Sequence, residues 1–581
     1  MSQLLRPSNA VLNTSIYSPY KHPAPIDLKL DANEGPPLSI SISNALSEIS
    51  ADTLRRYPST QELCQRLAQR FKISPNQLLV TAGADDALDR ACRAFLGPGS
   101  ELIYPTPSFE MIPRFAQWAY GTVLKIDWSQ SKFPLSKVID LISDRTKLIS
   151  LVSPNNPTGA TVTSDELIAL SKAAPKALIL LDHAYVEFVD RPELDLSQLA
   201  LSLDNVCVFR TFSKAWGLAA CRVGYVMGPQ QVIEWLKQVG HPYSVSTLSV
   251  NLVKKALSSL NQCINRSVTQ VQKERLELSK LLKCLEGHVT DSQGNFVFYQ
   301  GPQAKWIYDA LAGLGIAVRT WPKDSKLGNA IRISCPGQQK EFERLIKALQ
   351  TALDPQAILF DLDGVIADVS ESYRAAIIGT AASYGVEVHD RDIAIIKASG
   401  DANNDWRVTQ TILRKHGLNV SLDEVTERFE RLYQGEEPDS HHSPRGLYLK
   451  ETMIPTRETL IKLCEGRKTA IVTGRPLKDA LIFLERFDLT DLFQELITME
   501  DAPAKPDPAP VELSLSRLGV ERAWMIGDTV DDVRAARYAQ VIPIGVLIPN
   551  EPDPDFTRKH LETAGAARVV ENITEIQEWL R

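Results

Sequence analysis

At 581 residues the chain is too long for one hydrophobic core; about three or four core-sized units, grouped as two multi-part domains, fit that length. With 44% hydrophobic and 23% charged residues it has the composition of an ordinary globular protein, and its 64 basic and 71 acidic residues are spread along the chain to a net charge of -7. That balance offers no basic face to nucleic acid or to an anionic membrane; no run approaches the roughly 18 apolar residues of a membrane helix, and MSQLLRPSNAVLNTS has no apolar export core. A cytoplasmic protein with no nucleic-acid or membrane partner is expected, its eight scattered cysteines reduced and mostly packed.

Short apolar runs alternate with helical patterns. Leu88, Cys92, Phe95 and Leu96 fall on one helical face, and Thr163 with Glu166 is spaced as a capping box opening another helix. KLISLV (Lys147 to Val152), ALILLD (Ala177 to Asp182) and VCVFRT (Val206 to Thr211) read as buried strands, and the alternation predicts a largely parallel α/β sheet. A second series begins at Ala357, with TAIVT (Thr469 to Thr473) and AWMIG (Ala523 to Gly527) as strands. Between them lies a mainly helical stretch, from about Tyr373 to Leu460. TALDPQ, Thr351 to Gln356, is neither Gly/Ser-rich nor long, and divides a domain of residues 1–352 from one of 357–581.

In FRTFSKAWGLAACRVGY, Lys214 sits among small and apolar residues with Arg222 eight positions on, a setting that favours a nucleophilic amine suited to a Schiff base. Alone, such a segment is more often structural. Other segments change that weighting. TAGADDALDRACRAF runs from a strand through Gly83 into a helix whose free N-terminal amides can hold a phosphate. VSPNNPTG sets Asn155 and Asn156 after a strand, and LLDHAYVEF ends a strand with Asp182 followed by Tyr185.

Together these segments resemble the fold-type-I pyridoxal-phosphate aminotransferases, most closely the histidinol-phosphate aminotransferases, from Tyr17 to about Gln350. LDANEGPP (Leu30 to Pro37), RYPS (Arg56 to Ser59) and AIRIS (Ala330 to Ser334) extend the match. The resemblance implies a large, mostly parallel sheet domain with a small α/β domain, and pyridoxal 5'-phosphate as cofactor. It assigns Lys214 to covalent attachment of the cofactor and proton shuttling, Asp182 to the pyridine nitrogen, Asn156 and Tyr185 to the ring hydroxyl, and Phe109 to the ring face. The cofactor phosphate would rest on the amides of Ala84 and Asp85, the hydroxyls of Thr211 and Ser213, and Arg222. Arg332 would clamp the substrate's anion, with Tyr20, Tyr57 and Arg319 in the phosphate-binding surroundings. Tyr57 would reach into a neighbouring subunit, which implies a homodimer. A phosphothreonine decarboxylase of similar fold is a near alternative. His183 stands where the family usually has glutamate and should point away from the ring if Asp182 points toward it; Ile112 replaces an aromatic of the substrate wall.

ILFDLDGVIADV, Ile358 to Val369, ends a buried strand with Asp361 and places Asp363 two residues on, an arrangement that needs a cation. With IVTGRP, KPDP and IGDTVDDVRAA it resembles the haloacid-dehalogenase-like phosphohydrolases over about Gln356 to Arg581, which implies a Rossmann-like core with a helical cap at about 373–460. By that resemblance Asp361 attacks phosphorus, Asp363 is acid and base, Thr473 holds a phosphoryl oxygen and Lys505 balances charge. Mg²⁺ would be held by Asp361, the carbonyl of Asp363, and Asp528, with Asp532 orienting Lys505 and Asp531 a solvated neighbour. His441 and His442 read as solvated loop residues. Acting in sequence, the halves would convert imidazole-acetol phosphate and glutamate to histidinol phosphate and 2-oxoglutarate, then release histidinol. The alternatives are a phosphatase for another ester, such as phosphoglycolate or pyridoxal phosphate, or an idle regulatory module.

Overall fold

The computed structural model describes residues 6–12, 14–17, 21–37, 49–129, 131–259, 261–400, 404–435 and 446–580. By contact the chain divides into two compact units, one drawn from residues 1–20, 30–304 and 318–343, the other from 21–29, 305–317 and 344–581. A short strand, β1 (Leu28–Leu30), precedes the main sheet of the first unit. That sheet holds β2 (Leu78–Thr81), β3 (Glu101–Thr106), β4 (Thr122–Asp127), β5 (Thr146–Val152), β6 (Leu178–Asp182), β7 (Val206–Thr211) and β8 (Gly224–Met227) in the order β2-β8-β7-β6-β5-β3-β4. β3 to β7 pair in parallel, and β8 runs antiparallel to both its neighbours. All residues of β6 and β7 are buried, as expected of parallel strands covered on both faces, and this is why they read as unbroken apolar runs.

Helix Gly83–Phe95 presses Ala87, Leu88, Ala91 and Cys92 into the core. Leu96, expected on that face, is instead in extended backbone just past the helix end, where Gly97 and Pro98 follow. The capping box of Thr163 and Glu166 opens helix Ser164–Ala173. Beyond the main sheet, β10 (Phe296–Gln300) lies antiparallel between β9 (His288–Val289) and β12 (Ala330–Ser334). β11 (Ile316–Thr320) pairs with β12 so that Arg319 stands directly opposite Arg332, which puts both side chains on one face.

The second unit is built on β13 (Ala357–Phe360), β16 (Lys468–Val472), β17 (Glu495–Ile497), β18 (Ala523–Gly527), β19 (Ile542–Val546) and β20 (Arg568–Val570), all parallel, in the order β17-β16-β13-β18-β19-β20. Chain order reverses on either side of the central β13, so its carboxyl end opens onto the crevice where such sheets bind ligands. A small antiparallel pair, β14 (Ala367–Asp368) and β15 (Thr452–Met453), carries the chain out to helices Tyr373–Ser383, Asp390–Ser399, Asp405–Lys415 and Leu422–Gln434 and back.

The segment from Thr351 to Gln356 is built into this unit. The carbonyls of Thr351 and Ala352, orphaned at the end of helix Gln339–Leu353, accept from the indole nitrogens of Trp524 (2.7 Å) and Trp306 (2.9 Å). Trp306 packs against Trp524 at 4.7 Å between centroids and stacks on Trp579 at 4.8 Å. Arg568 lies over the rings of Trp306 and Trp579 and pairs with Asp309 at 2.5 Å. Trp524 is fully buried, so Trp524→Ala removes a large apolar side chain and leaves the Thr351 carbonyl unpaired. We expect a loss of about 3–5 kcal/mol for this unit, with a smaller loss for Trp524→Phe, read as a lowered urea midpoint for the fluorescence of the remaining tryptophans.

Candidate active sites

In the first unit a cavity of about 370 Å³ lies at the carboxyl ends of β5, β6 and β7. At one end the chain turns through Gly83, whose φ of +84° suits glycine and whose Cβ would stand 2.7 Å from Arg222 Nη2. A Cβ at Gly224 would meet Ala84 N at 2.5 Å. The two glycines thus let the start of helix Gly83–Phe95 approach β8 and leave a cradle of Ala84, Asp85, Thr211, Ser213 and Arg222. Thr211 Oγ1 donates to Ser213 Oγ at 3.0 Å, and Arg222 pairs with Asp85 at 3.0 Å.

Lys214 and Asp182 occupy the middle. Lys214 Nζ donates to Ala32 O at 3.0 Å and lies 5.5 Å from the centre of the Tyr185 ring. Its own carbonyl would be 1.8 Å from a Cβ at Gly35, so the glycine of LDANEGPP is what allows that segment to pass so close. Asn33 of the same segment donates to Tyr185 Oη at 3.1 Å and accepts from Ser334 Oγ at 2.8 Å. Asp182 is buried, and its carboxylate accepts only from Ala184 N, at 3.1 Å, among the described residues. Burial pushes its carboxyl up to about 7, with Asp85 adding to the rise and Lys214 opposing it.

The other end is cationic. Arg332, buried, donates to Asn156 Oδ1 and Asp31 O, each at 2.5 Å, while its buried Nε has no partner among the described residues. Burial lowers it to about 10, which still leaves it charged near neutrality. Arg319 donates to Glu110 at 3.0 Å and lies near the rings of Tyr17 and Trp321.

Thus Phe109, Asn156, Asp182, Tyr185, Lys214, Arg319 and Arg332 line the same cavity as the cradle residues. Tyr57 does not; it is 80% exposed and stacks on Tyr243 at 4.4 Å. Tyr20 lies outside the described residues. Ile112 is buried in the core of the main sheet and does not line the cavity. His183 is fully buried, bonded to Ser153 O and accepting from Leu196 N at 3.2 Å, and burial brings it down to about 4. Sequence reasoning missed Tyr17, Asn33 and Glu110, although Asn33 lies in LDANEGPP, Glu110 follows Phe109 and Tyr17 opens the matched stretch.

In the second unit Asp361 follows β13 directly, its N–H bonded to Ile526 O at 2.9 Å. Lys505 Nζ bridges Asp361 (3.0 Å) and Asp532 (2.5 Å) and donates to Val472 O. The carboxylates of Asp361, Asp528 and Asp532 come within 4.8 Å of one another. Burial and mutual repulsion hold Asp361 well above the usual carboxylate range and Asp528 at about 7; Lys505 opposes the rise at Asp361, and Lys397 and Arg374 oppose it at Asp528. Gly364 has φ +72°, and a Cβ there would stand 2.2 Å from Asp528 Oδ2, so DLDG requires its glycine for this convergence.

Asp361, Asp363 and Asp528 line a small cavity together with Arg374 and Lys397 from the helical insertion. Thr473 and Lys505 are buried but do not line it. Asp363 pairs with Arg475, which is itself held by Glu451. The expectation for Asp531 is corrected. It is fully buried, because the first turn of helix Val530–Tyr538 faces inward. His441 and His442 lie outside the described residues. Arg475 and Glu451 were missed, although Arg475 is two residues past Thr473 in IVTGRP.

Residues 25–349 match the family described as aminotransferase class I and II, and since that stretch covers more than half of the sequence, the chain belongs to that family. Residues 358–546 match the family described as haloacid dehalogenase-like hydrolase. A histidinol-phosphate aminotransferase of Nostoc is 30% identical over 56% of this chain and 92% of its own length. An aromatic amino acid aminotransferase of Thermobifida fusca is 33% identical over 53% of this chain and 85% of its own. An imidazoleglycerol-phosphate dehydratase of Phytophthora nicotianae is 43% identical over 231 residues, 37% of this chain and 50% of that protein, so the chain spans about half the dehydratase's length. Among solved structures, the histidinol-phosphate aminotransferase of Sinorhizobium meliloti in complex with pyridoxal-5'-phosphate shares the fold, with a TM-score of 0.54 at 22% identity over 60% of this chain and 99% of that one. The chain thus joins an aminotransferase region to a following stretch that matches the haloacid dehalogenase-like hydrolases.

Asp182 gives a pH test on cofactor-stripped protein. Because folding raises its pKa to about 7, the native state keeps a proton that the unfolded chain has lost. Its contribution to stability is therefore full below about pH 4 and falls as pH rises to about 7, by about 4 kcal/mol in all. Asp182→Asn should flatten that part of the profile of urea midpoints between pH 5 and 8; an unchanged slope would place the titrating group elsewhere.

Proposed function

We propose that the first unit converts imidazole-acetol phosphate and glutamate to histidinol phosphate and 2-oxoglutarate, and that the second hydrolyses histidinol phosphate to histidinol. The observation that carries the first step is one cavity with two anion-holding ends, the Arg222 cradle and the Arg319–Arg332 pair, separated by Lys214 and Asp182. The residues fit pyridoxal phosphate. The cradle is kept open by glycines where a Cβ would intrude, and buried Asp182 has no cation within bonding distance among the described residues. When bound, that cofactor supplies an electron sink for the bond broken at the substrate's Cα. Asp182 would keep the ring nitrogen protonated, Asn156 and Tyr185 would hold the ring hydroxyl, and Phe109 would lie against the ring. Lys214 would anchor the group covalently and carry the Cα proton. The unpartnered Nε of Arg332 would meet the substrate's phosphate.

For the second step, Asp361 would attack phosphorus and Asp363 would serve as acid and then base, with Thr473 on a phosphoryl oxygen and Lys505 balancing charge. The donors fit Mg²⁺, since the cluster is all oxygen; Asp361, Asp528 and the carbonyl of Asp363 would hold it, and it would offset phosphate charge. That the ester is histidinol phosphate is supported by the fusion itself and by relatives named for histidinol-phosphate and imidazoleglycerol-phosphate chemistry. The same reading makes the protein a cytoplasmic homodimer, with exposed Tyr57 serving the partner's cavity.

Supplied with imidazole-acetol phosphate, glutamate, pyridoxal phosphate and Mg²⁺, the wild type should release both 2-oxoglutarate and inorganic phosphate. Asp361→Asn should release only 2-oxoglutarate, its hydrolysis slowed several-thousand-fold or more (about 5 kcal/mol), and Lys214→Ala neither, freeing inorganic phosphate alone when given histidinol phosphate. Arg332→Ala should weaken transamination by about 2–5 kcal/mol while cofactor absorbance persists. Accumulation of histidinol phosphate with hydrolysis of another ester would overturn the second step alone. Turnover of phenylpyruvate in place of the imidazole substrate would favour an aromatic acceptor, for which Tyr17 and Trp321 beside Arg319 provide a wall.

A further inference from the structure

The geometry of the second site assigns a further role: we propose that Arg475 is a positioning residue that dictates which oxygen of Asp363 handles the proton in phosphoryl transfer and ties that oxygen to the root of the helical insertion. The inference rests on the reading of Asp363 as acid and base. Arg475 is 2% exposed, and its Nε (2.6 Å) and Nη2 (2.5 Å) both reach the same oxygen, Oδ1 of Asp363. The Nε hydrogen bond, with the Nη2 charge beside it though not itself hydrogen-bonded among the described residues, disfavours a proton on that oxygen. Oδ2 accepts no hydrogen bond among the described residues, and Asp363 lines the cavity with Asp361 and Asp528. The pairing therefore directs a transferred proton to Oδ2.

The clamp is held from behind. Arg475 Nη1 donates to Glu451 Oε2 at 3.1 Å, and the guanidinium lies 5.0 Å from the Tyr373 ring centre and 5.4 Å from that of Phe483. Glu451 Oε1 accepts from Ser372 Oγ at 2.9 Å and from Tyr433 Oη at 3.1 Å. Ser372 lies just beyond β14 and Glu451 just before β15, the two points where the chain leaves for the helical insertion and returns; Tyr433 is on its last helix. Burying an arginine against two carboxylates is costly in desolvation, and an apolar cluster would pack as well. What the arrangement provides is a carboxylate held in one orientation, set by the same residues that root the insertion.

In the first half-reaction Asp361 Oδ forms a bond to phosphorus, the ester P–O bond breaks, and the proton on Asp363 Oδ2 passes to the leaving oxygen. This gives alcohol, aspartyl phosphate and an Asp363 carboxylate. In the second, a water oxygen bonds to phosphorus, its proton passes to Oδ2, and the P–O bond to Asp361 breaks, which releases phosphate and restores both aspartates. The first transfer matters for an alkyl ester, whose alkoxide is a poor leaving group, and hardly at all for p-nitrophenyl phosphate, whose phenolate leaves unaided.

The full chain, with Mg²⁺ supplied, is assayed on histidinol phosphate, 2-phosphoglycolate and p-nitrophenyl phosphate. Arg475→Met should lower kcat on whichever alkyl ester the wild type hydrolyses by about 100-fold and on the aryl ester by only a few-fold, matching the skew of Asp363→Asn. Arg475→Lys, which keeps the charge and one donor, should recover part of the alkyl rate. Should Arg475→Met not fold, Arg475→Lys and Glu451→Gln must show the same skew in smaller measure. Equal loss on both ester types, with Asp363→Asn still skewed and Asp361→Asn inactive on both, makes Arg475 merely structural and overturns the inference alone. A wild type that hydrolyses only the aryl ester overturns it as well. Hydrolysis that survives Asp361→Asn instead removes the aspartyl phosphate reading beneath it.

Discussion

Both sites depend on one constraint, a carboxylate buried at the carboxyl end of a central parallel strand. Asp182 closes β6 and Asp361 follows β13; each is almost without solvent, and for each burial is the largest cause of a raised pKa. A sheet end is a favourable place for such a group, since backbone N–H groups freed from the ladder can bond it. Those amides do not replace a cation. At Asp361 the chain supplies Lys505, itself bridging to Asp532, and one ammonium still faces three carboxylates. At the Asp182 carboxylate it supplies only the Ala184 amide among the described residues. The residual cost of burial falls on the ionised form of each carboxyl wherever no cation stands beside it.

Close backbone approach is the second requirement, and it falls on few residues. Gly35 lets LDANEGPP touch the Lys214 carbonyl, Gly83 and Gly224 open the cradle beside Arg222, and Gly364 admits Asp528 beside Asp361. At each of these a Cβ would stand 2.7 Å or nearer to a neighbouring atom, so the short quoted segments hold as much geometry as chemistry. Asn33 illustrates this. It orients Tyr185 on one side and accepts from Ser334 on the other, though nothing in LDANEGPP marks it as more than a polar loop residue.

The second compact unit draws stretches from both sides of the Thr351 to Gln356 connector. Residues 305–317 and 344–353 pack within the second unit, where Trp306, Trp524 and Trp579 form one cluster and the indole nitrogens of Trp306 and Trp524 satisfy the carbonyls of Ala352 and Thr351 at the helix end. Apolar surface and hydrogen-bond satisfaction together set the boundary, and neither is a property of the connector's own composition.

The strands, the order of the segments and most of the residues that meet in each cavity were legible along the chain. Buried parallel strands are continuous apolar runs, and residues at their carboxyl ends converge whatever the loops do, which is why Asp182, Lys214, Asp361 and Asp528 could be named from spacing and resemblance alone. What tertiary structure decided was the partner of each charge. Arg475 reaches Asp363 across 112 positions, Arg332 reaches Asn156 across 176, and Asp531 turns inward where its neighbours suggested solvent. Such pairings depend on which faces of distant elements are brought within about 3 Å, and a hydrogen bond at that range is set by the packing of the whole sheet rather than by the residues on either side of it in the chain.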